Sequence, residues 1–197
     1  MLPPPRRLPW LDLETTGFTQ LHERMVYKHR ILEIGALVTD EHFNVVASFS
    51  AVIQQPIDVV MKLSDEVVVQ MHTQNGLFDE VAQSTMTLEA AERELIHFYR
   101  SNGVPDMAAP LCGSGIHFDR MFVEAQMPAL NDFLFYRNLD VSAVKEFLKL
   151  ISPSFEPAKR KSHRALDDIH ESVTEASAYR DLLGPLLATL HNKAPTA

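Results

Sequence analysis

The chain is 197 residues long, 46% hydrophobic and 22% charged, with a single cysteine and a formal net charge of −8. That balance suits one globular domain with its own core, and the lone Cys112 excludes an internal disulfide and fits a reducing compartment. The acidic charge disfavours a protein that coats long nucleic acid through a broad basic face. No apolar run is long enough for a membrane span and residues 1–7 lack the core of a secretory signal, so a cytoplasmic location is expected, with a mitochondrial address left open.

After a flexible arm over 1–7, residues 8–13 are predicted as a short strand. Residues 30–39 form a second, in which Ile31, Leu32, Ile34, Ala36, Leu37 and Val38 are nearly continuous, the pattern of a strand buried on both faces. A turn over 40–44 leads into a third strand over 45–53, giving a three-strand meander. The spacing then predicts a helix over 87–100, with Leu88, Ala91, Leu95, Phe98 and Tyr99 on one face, stopped by Asn102 and Gly103 with Pro105 beyond. A strand over 110–113 follows, then the turn Gly113, Ser114, Gly115 and a helix over 118–126. Residues 136–140 read as the last strand and 141–150 as a helix, with Val144, Phe147, Leu148 and Ile151 apolar. Residues 152–162, with two prolines and a basic run, are a loop. A long helix from about 164 to 183 is expected to end at Gly184 and Pro185, and 191–197 to fray. A meander followed by alternating helices and strands implies an α/β sandwich on a mixed sheet, one domain over 8–190.

Three short patterns carry chemistry. Asp12 and Glu14 are two apart in a predicted strand, so both carboxylates project to one side at its C-terminal end. Like charges that close repel unless a cation lies between them, and oxygen ligands suit Mg²⁺ or Mn²⁺. Asp119 stands just inside a helix that follows a strand. His163 immediately precedes a helix that carries Asp167 and Asp168. Singly each has a plainer explanation: an edge strand with solvated acids, or acids favoured at helix N-termini by the macrodipole, which is all Asp167 needs.

Together their order resembles the DEDDh exonucleases: Asp12 and Glu14 on the first strand, Asp119 after a later strand, and His163 with Asp168 at the last helix. Further blocks are similar to the oligoribonuclease family: Leu11 to Glu14, Thr16 and Gly17, Ile31 to Ile34 with Leu37 to Asp40, His72 and Thr73, Ser84 to Met86, Tyr136 and Arg137, Leu139 to Ser142 with Lys145 and Glu146, and His163 to Ile169 with Glu171 and Ser172. The resemblance runs from about Trp10 to Arg180, and the block Leu139 to Ser142 separates this family from other DEDDh enzymes.

The resemblance implies an RNase H-like five-stranded mixed sheet with helices on both faces. It implies a 3′→5′ exoribonuclease that degrades short RNA, down to dinucleotides, to 5′-mononucleotides. Two divalent ions, Mg²⁺ or Mn²⁺, would be held by Asp12, Glu14, Asp119 and Asp168, with His163 as general base toward the attacking water. Phe18, Ser114, Ser142 and Lys145 would touch substrate, and Tyr136 and Arg137 would reach the partner's site in a homodimer. Lys159, Arg160, Lys161 and Arg164 are candidates to attract phosphate, beside the plainer reading of a solvated loop. The chain departs from the family in the extra residues 20–28, in Phe18 where Leu is usual, in Val67 near a usual Trp, and in Ser114, Gly115 and Phe118 before Asp119. Two other readings are a proofreading or repair DNA exonuclease, which Thr15, Thr16, Phe118 and Asp119 resemble, and a non-catalytic RNA-binding module, which would require a lost ligand or base. A structural subunit has neither a repeat nor a coiled-coil pattern in its favour.

Overall fold

The computed structural model describes residues 6–17, 28–152 and 163–191. Its five strands are β1 (Leu8–Thr15), β2 (Ile31–Thr39), β3 (Val45–Val52), β4 (Leu111–Gly113) and β5 (Asn138–Asp140). They form one mixed sheet in the order β3-β2-β1-β4-β5, with β1 at its centre. The meander β1–β2–β3 is antiparallel, whereas β4 and β5 join parallel to β1. The last strand is shorter than its sequence pattern, so Tyr136 and Arg137 stand before it.

Eight helices surround the sheet among the described residues: α1 (Ile57–Leu63), α2 (Glu66–Gln74), α3 (Leu77–Gln83), α4 (Leu88–Ser101), α5 (Ile116–Gln126), α6 (Pro128–Phe133), α7 (Val141–Ile151) and α8 (Ala165–His191). Strand alternation sorts the core into two faces. Leu11 and Leu13 of β1 and Ile34, Ala36 and Val38 of β2 pack with α4, α5 and α6. Leu8 and Trp10 of β1 and Leu37 of β2 pack with Val141 and Leu148 of α7 and Ile169, Val173, Ala176 and Tyr179 of α8. The next positions on that second face of β1 are Asp12 and Glu14, so the alternation that buries Trp10 also directs the two carboxylates toward α8.

The helix expected over 87–100 forms as α4, with the Thr87 hydroxyl accepting from the Ala90 amide at 3.2 Å and Gly103 beyond its end at φ +82°. Helices α1 to α3 were not evident in the sequence. They are short, and none has a side-chain hydrogen bond at its N-cap, so their local signature is weak. They are held instead by Val60, Leu77, Phe78 and Val81 closing around Leu32. One expectation is corrected: α8 does not stop at Gly184 and Pro185 but continues to His191 with Pro185 inside it. A proline there removes one backbone bond, and the preceding turn at Asp181 and Leu182 is exposed, where water can replace it. The expectations for Phe18, most of the longer loop after Gly17, Lys159, Arg160 and Lys161, and the last six residues fall outside the described residues.

Candidate active site

The site is built where β1, β2 and the start of α8 meet. In the antiparallel register Glu14 lies opposite Glu33, Asp12 opposite Gly35 and Trp10 opposite Leu37. Gly35 is required by the helix above it: a Cβ there would stand 2.3 Å from the Ala165 carbonyl carbon and 2.5 Å from the Leu166 nitrogen. The first turn of α8 thus rests on bare strand backbone beside Asp12. That approach brings Asp168 in, and one carboxylate oxygen each of Asp12, Glu14 and Asp168 lie within 4.8 Å of one another.

Three carboxylates so arranged cannot all be comfortably ionised. Burial, then the charges of Asp168 and Glu33, push Asp12 up to about 8. Burial, then Asp12, Asp168 and Glu33, push Glu14 up to about 9, with the Arg164 guanidinium pulling the other way. A divalent cation removes that penalty by replacing shared protons with fixed positive charge. The donor set is all oxygen, which fits a hard divalent ion.

Asp119 approaches from the opposite side. Gly115, in the left-handed region at φ +72°, starts α5 and turns its first residues over β1. Asp119 is buried and its Oδ1 accepts the Leu13 amide at 2.9 Å. Its carboxyl is held well above the usual range by burial first and by Asp12 next, while the Leu13 bond favours the ionised form. It therefore sits against the trio electrostatically, with one oxygen spent on the β1 backbone.

His163 is half-buried and has φ +55°, a left-handed conformation uncommon for a residue with a Cβ. Its carbonyl accepts the Asn75 side-chain amide at 2.6 Å. Arg164 does not reach outward as a phosphate arm. Its guanidinium donates to Glu33 at 2.8 to 3.2 Å and to Glu80 at 2.8 Å. Glu33, only 2% exposed, also accepts the Ala165 amide at 3.0 Å and so caps α8.

The remaining candidates are dispersed. Ser114 is half-buried in the turn between β4 and α5. Tyr136, 71% exposed, and Arg137 form a surface pair, with the guanidinium 5.3 Å from the ring centroid. Ser142 donates its hydroxyl to Asp140 Oδ1 at 2.7 Å, in the cap of α7. Lys145 is mostly buried and pairs with Glu175 of α8 at 3.3 Å. Both thus have internal partners with which a phosphate would compete. Val67 is exposed in the first turn of α2. Exposed Asp167 stands in the first turn of α8, in keeping with a macrodipole role.

Four residues with no role assigned from sequence complete the surroundings: Glu33, His72, Asn75 and Glu80. His72 is fully buried, its Nε2 lies 3.4 Å from Glu14 Oε2, and burial followed by the charge of His163 lowers its pKa to about 4, so it faces Glu14 as a neutral ring. One signal was available. Glu33 is the one charged residue inside a strand buried throughout, and such a residue must be paired.

Comparison with known proteins agrees with this geometry. The exonuclease family of RNase T type matches residues 10–176. The chain is 39% identical over 176 residues to an oligoribonuclease of Mycobacterium avium, covering 88% of this chain and 79% of that one. It is 38% identical over 178 residues to an oligoribonuclease of Streptomyces griseus (89% and 85% covered) and 38% identical over 180 residues to a mitochondrial oligoribonuclease of Bos taurus (89% and 73%). Among solved structures, E. coli exonuclease I in complex with a 5cy-dT13 oligonucleotide superposes with a TM-score of 0.67 at 16% identity, over 96% of this chain and 43% of that one. A zinc-bound form of its single-stranded DNA complex gives 0.67 at 17%, over 95% and 43%. The present chain thus spans under half of those larger exonucleases, with which it shares the RNase H-like fold. No helix among the described residues is long and apolar enough to cross a membrane. By sequence the chain belongs to the RNase T exonuclease family and, within it, to the oligoribonucleases.

Proposed function

We propose that this protein is a 3′→5′ exoribonuclease that hydrolyses short oligoribonucleotides, down to dinucleotides, to 5′-mononucleotides. The observation that carries the reading is the convergence of Asp12, Glu14 and Asp168 within 4.8 Å, with His163 at the head of the same helix as Asp168 and Asp119 behind β1.

In this reading Asp12, Glu14, Asp119 and Asp168 would hold two divalent ions, Mg²⁺ or Mn²⁺. Such ions supply charge stabilisation on the scissile phosphate and acidify the attacking water. His163 would accept the proton of the attacking water as general base. His72, neutral beside Glu14, adds no positive charge that would compete with a cation there. By the family resemblance, Phe18 would stack on a terminal base. Ser114 would touch substrate, and Ser142 and Lys145 would touch phosphate once released from Asp140 and Glu175. Tyr136 and Arg137, exposed ahead of β5, serve the site of a second subunit in a homodimer.

A second reading, a single-stranded DNA exonuclease, draws on the shared fold with exonuclease I. One assay separates the two: labelled RNA dinucleotide, longer RNA and single-stranded DNA, each with Mn²⁺ or with EDTA. The expected result is fastest cleavage of the dinucleotide, abolished by EDTA. Equal or faster cleavage of long DNA would overturn the assignment, and no cleavage of any substrate would favour a binding module.

A further inference from the structure

Two sets of contacts close on residues 163 and 164, one on the His163 carbonyl and one on the Arg164 guanidinium, from elements that carry none of the four carboxylates. Asn75 ends α2. Its Oδ1 accepts the Leu77 amide at 3.1 Å, at the start of α3, and its Nδ2 donates to the His163 carbonyl at 2.6 Å. Both ends of one side-chain amide are thus occupied, and the group is a fixed bracket. On the other side of the same peptide, Arg164 is clamped between Glu33 of β2 and Glu80 of α3.

The residue between these restraints is strained. A non-glycine residue in the left-handed region is strained and persists only where its surroundings impose it. His163 holds φ +55°, and the surroundings that impose it are Asn75 and the Arg164 clamp. In an ordinary helical or extended backbone the imidazole would leave from a different direction.

We propose that Asn75 is a positioning residue for His163: by holding the His163 carbonyl against the Arg164 clamp, it fixes the left-handed backbone that sets where the imidazole stands. The inference rests on the reading of His163 as the general base. It assigns Asn75 no contact with substrate or metal.

The test is a double-mutant cycle on RNA dinucleotide hydrolysis with Mn²⁺, run as single turnovers so that slow variants are measurable. Asn75→Asp keeps the acceptor for Leu77 but turns an oxygen toward the His163 carbonyl, and Asn75→Ala removes both bonds, and the side-chain interaction with His72, without adding charge. Each should lower kcat by about 10- to 100-fold, part of the roughly 100- to 10,000-fold a positioned base supplies. KM and the calorimetric Mn²⁺ affinity should stay unchanged. In a His163→Ala background neither substitution should cost anything further. A wild-type kcat in both variants, the same loss with and without His163, or a loss seen as weakened Mn²⁺ binding would overturn the proposal. Full activity of His163→Ala alone would overturn the base itself, a failure read from a different variant.

Discussion

Asp119 Oδ1 accepts its hydrogen bond from the amide of Leu13, the residue between Asp12 and Glu14. A carboxylate on α5 therefore anchors the strand segment that presents two others, 106 residues away in sequence. Its charge and its hydrogen bond can be separated. Asp119→Asn keeps an oxygen for Leu13 and loses the charge, so stability should hold while activity falls by at least about 100-fold, the loss of a metal ligand. Asp119→Ala should lose both, with about 1–3 kcal/mol of stability from the unpaired buried amide. Thermal melts beside dinucleotide hydrolysis check this; equal melting of the two variants would show that the Leu13 bond contributes nothing.

The carboxylate trio also predicts how metal, protons and stability are linked. Asp12 and Glu14 are raised to about 8 and about 9 in the metal-free fold, so the folded chain binds their protons more tightly than the unfolded chain does. Their contribution to stability is full below the unfolded carboxylate range near about pH 4 and is lost as pH climbs through the folded values. A divalent ion must displace those protons. Mn²⁺ affinity should therefore rise between about pH 6 and about pH 8, and binding heats should differ between buffers of unequal ionisation enthalpy. A flat affinity with no proton exchanged would contradict this arrangement.

Gly35 should be intolerant of even one methyl group. The atoms its Cβ would meet are backbone atoms of Ala165 and Leu166, which cannot swing aside as a side chain can. Gly35→Ala should push the first turn of α8 off the sheet, at about 1–3 kcal/mol, or roughly 3–10 °C in Tm for a chain of this size. Asp168 moves with that turn, so Mn²⁺ binding should weaken as well. A variant with wild-type Tm and wild-type metal affinity would show that α8 can rise without opening the trio.

What could be read in advance follows from range. The alternation of side chains along β1 and the nearly continuous apolar run of β2 are local, and with them came the shared face of Asp12 and Glu14, whereas the approach of Asp168 was expected only from the family resemblance. The clamp on Arg164 was hidden because its carboxylates come from β2 and α3, 131 and 84 residues away. Only the lone charge of Glu33 in a buried strand hinted at it. Short helices such as α1 and α3 owe their form to Leu32 and its neighbours in the third core cluster, so their own sequences carry little of it. Pro185 misled for the opposite reason: a strong local rule yielded where the helix runs along solvent.

The exposed pair Tyr136 and Arg137 allows a test of subunit exchange that does not depend on measuring mass. If each pair completes the partner's site, Tyr136→Ala inactivates the neighbouring site while leaving its own carboxylates intact. Asp12→Ala does the reverse, inactivating its own site while still lending Tyr136. Each variant alone should be nearly inactive on the dinucleotide. When the two are mixed and allowed to exchange subunits, one site in each mixed dimer has both Asp12 and a donated Tyr136. Random pairing of equal amounts should then restore about a quarter of wild-type activity, because half of the dimers are mixed and one of their two sites is complete. Activity that stays at the level of the separate variants, under conditions where tagged subunits are seen to exchange, would place Tyr136 at its own subunit's site or away from both.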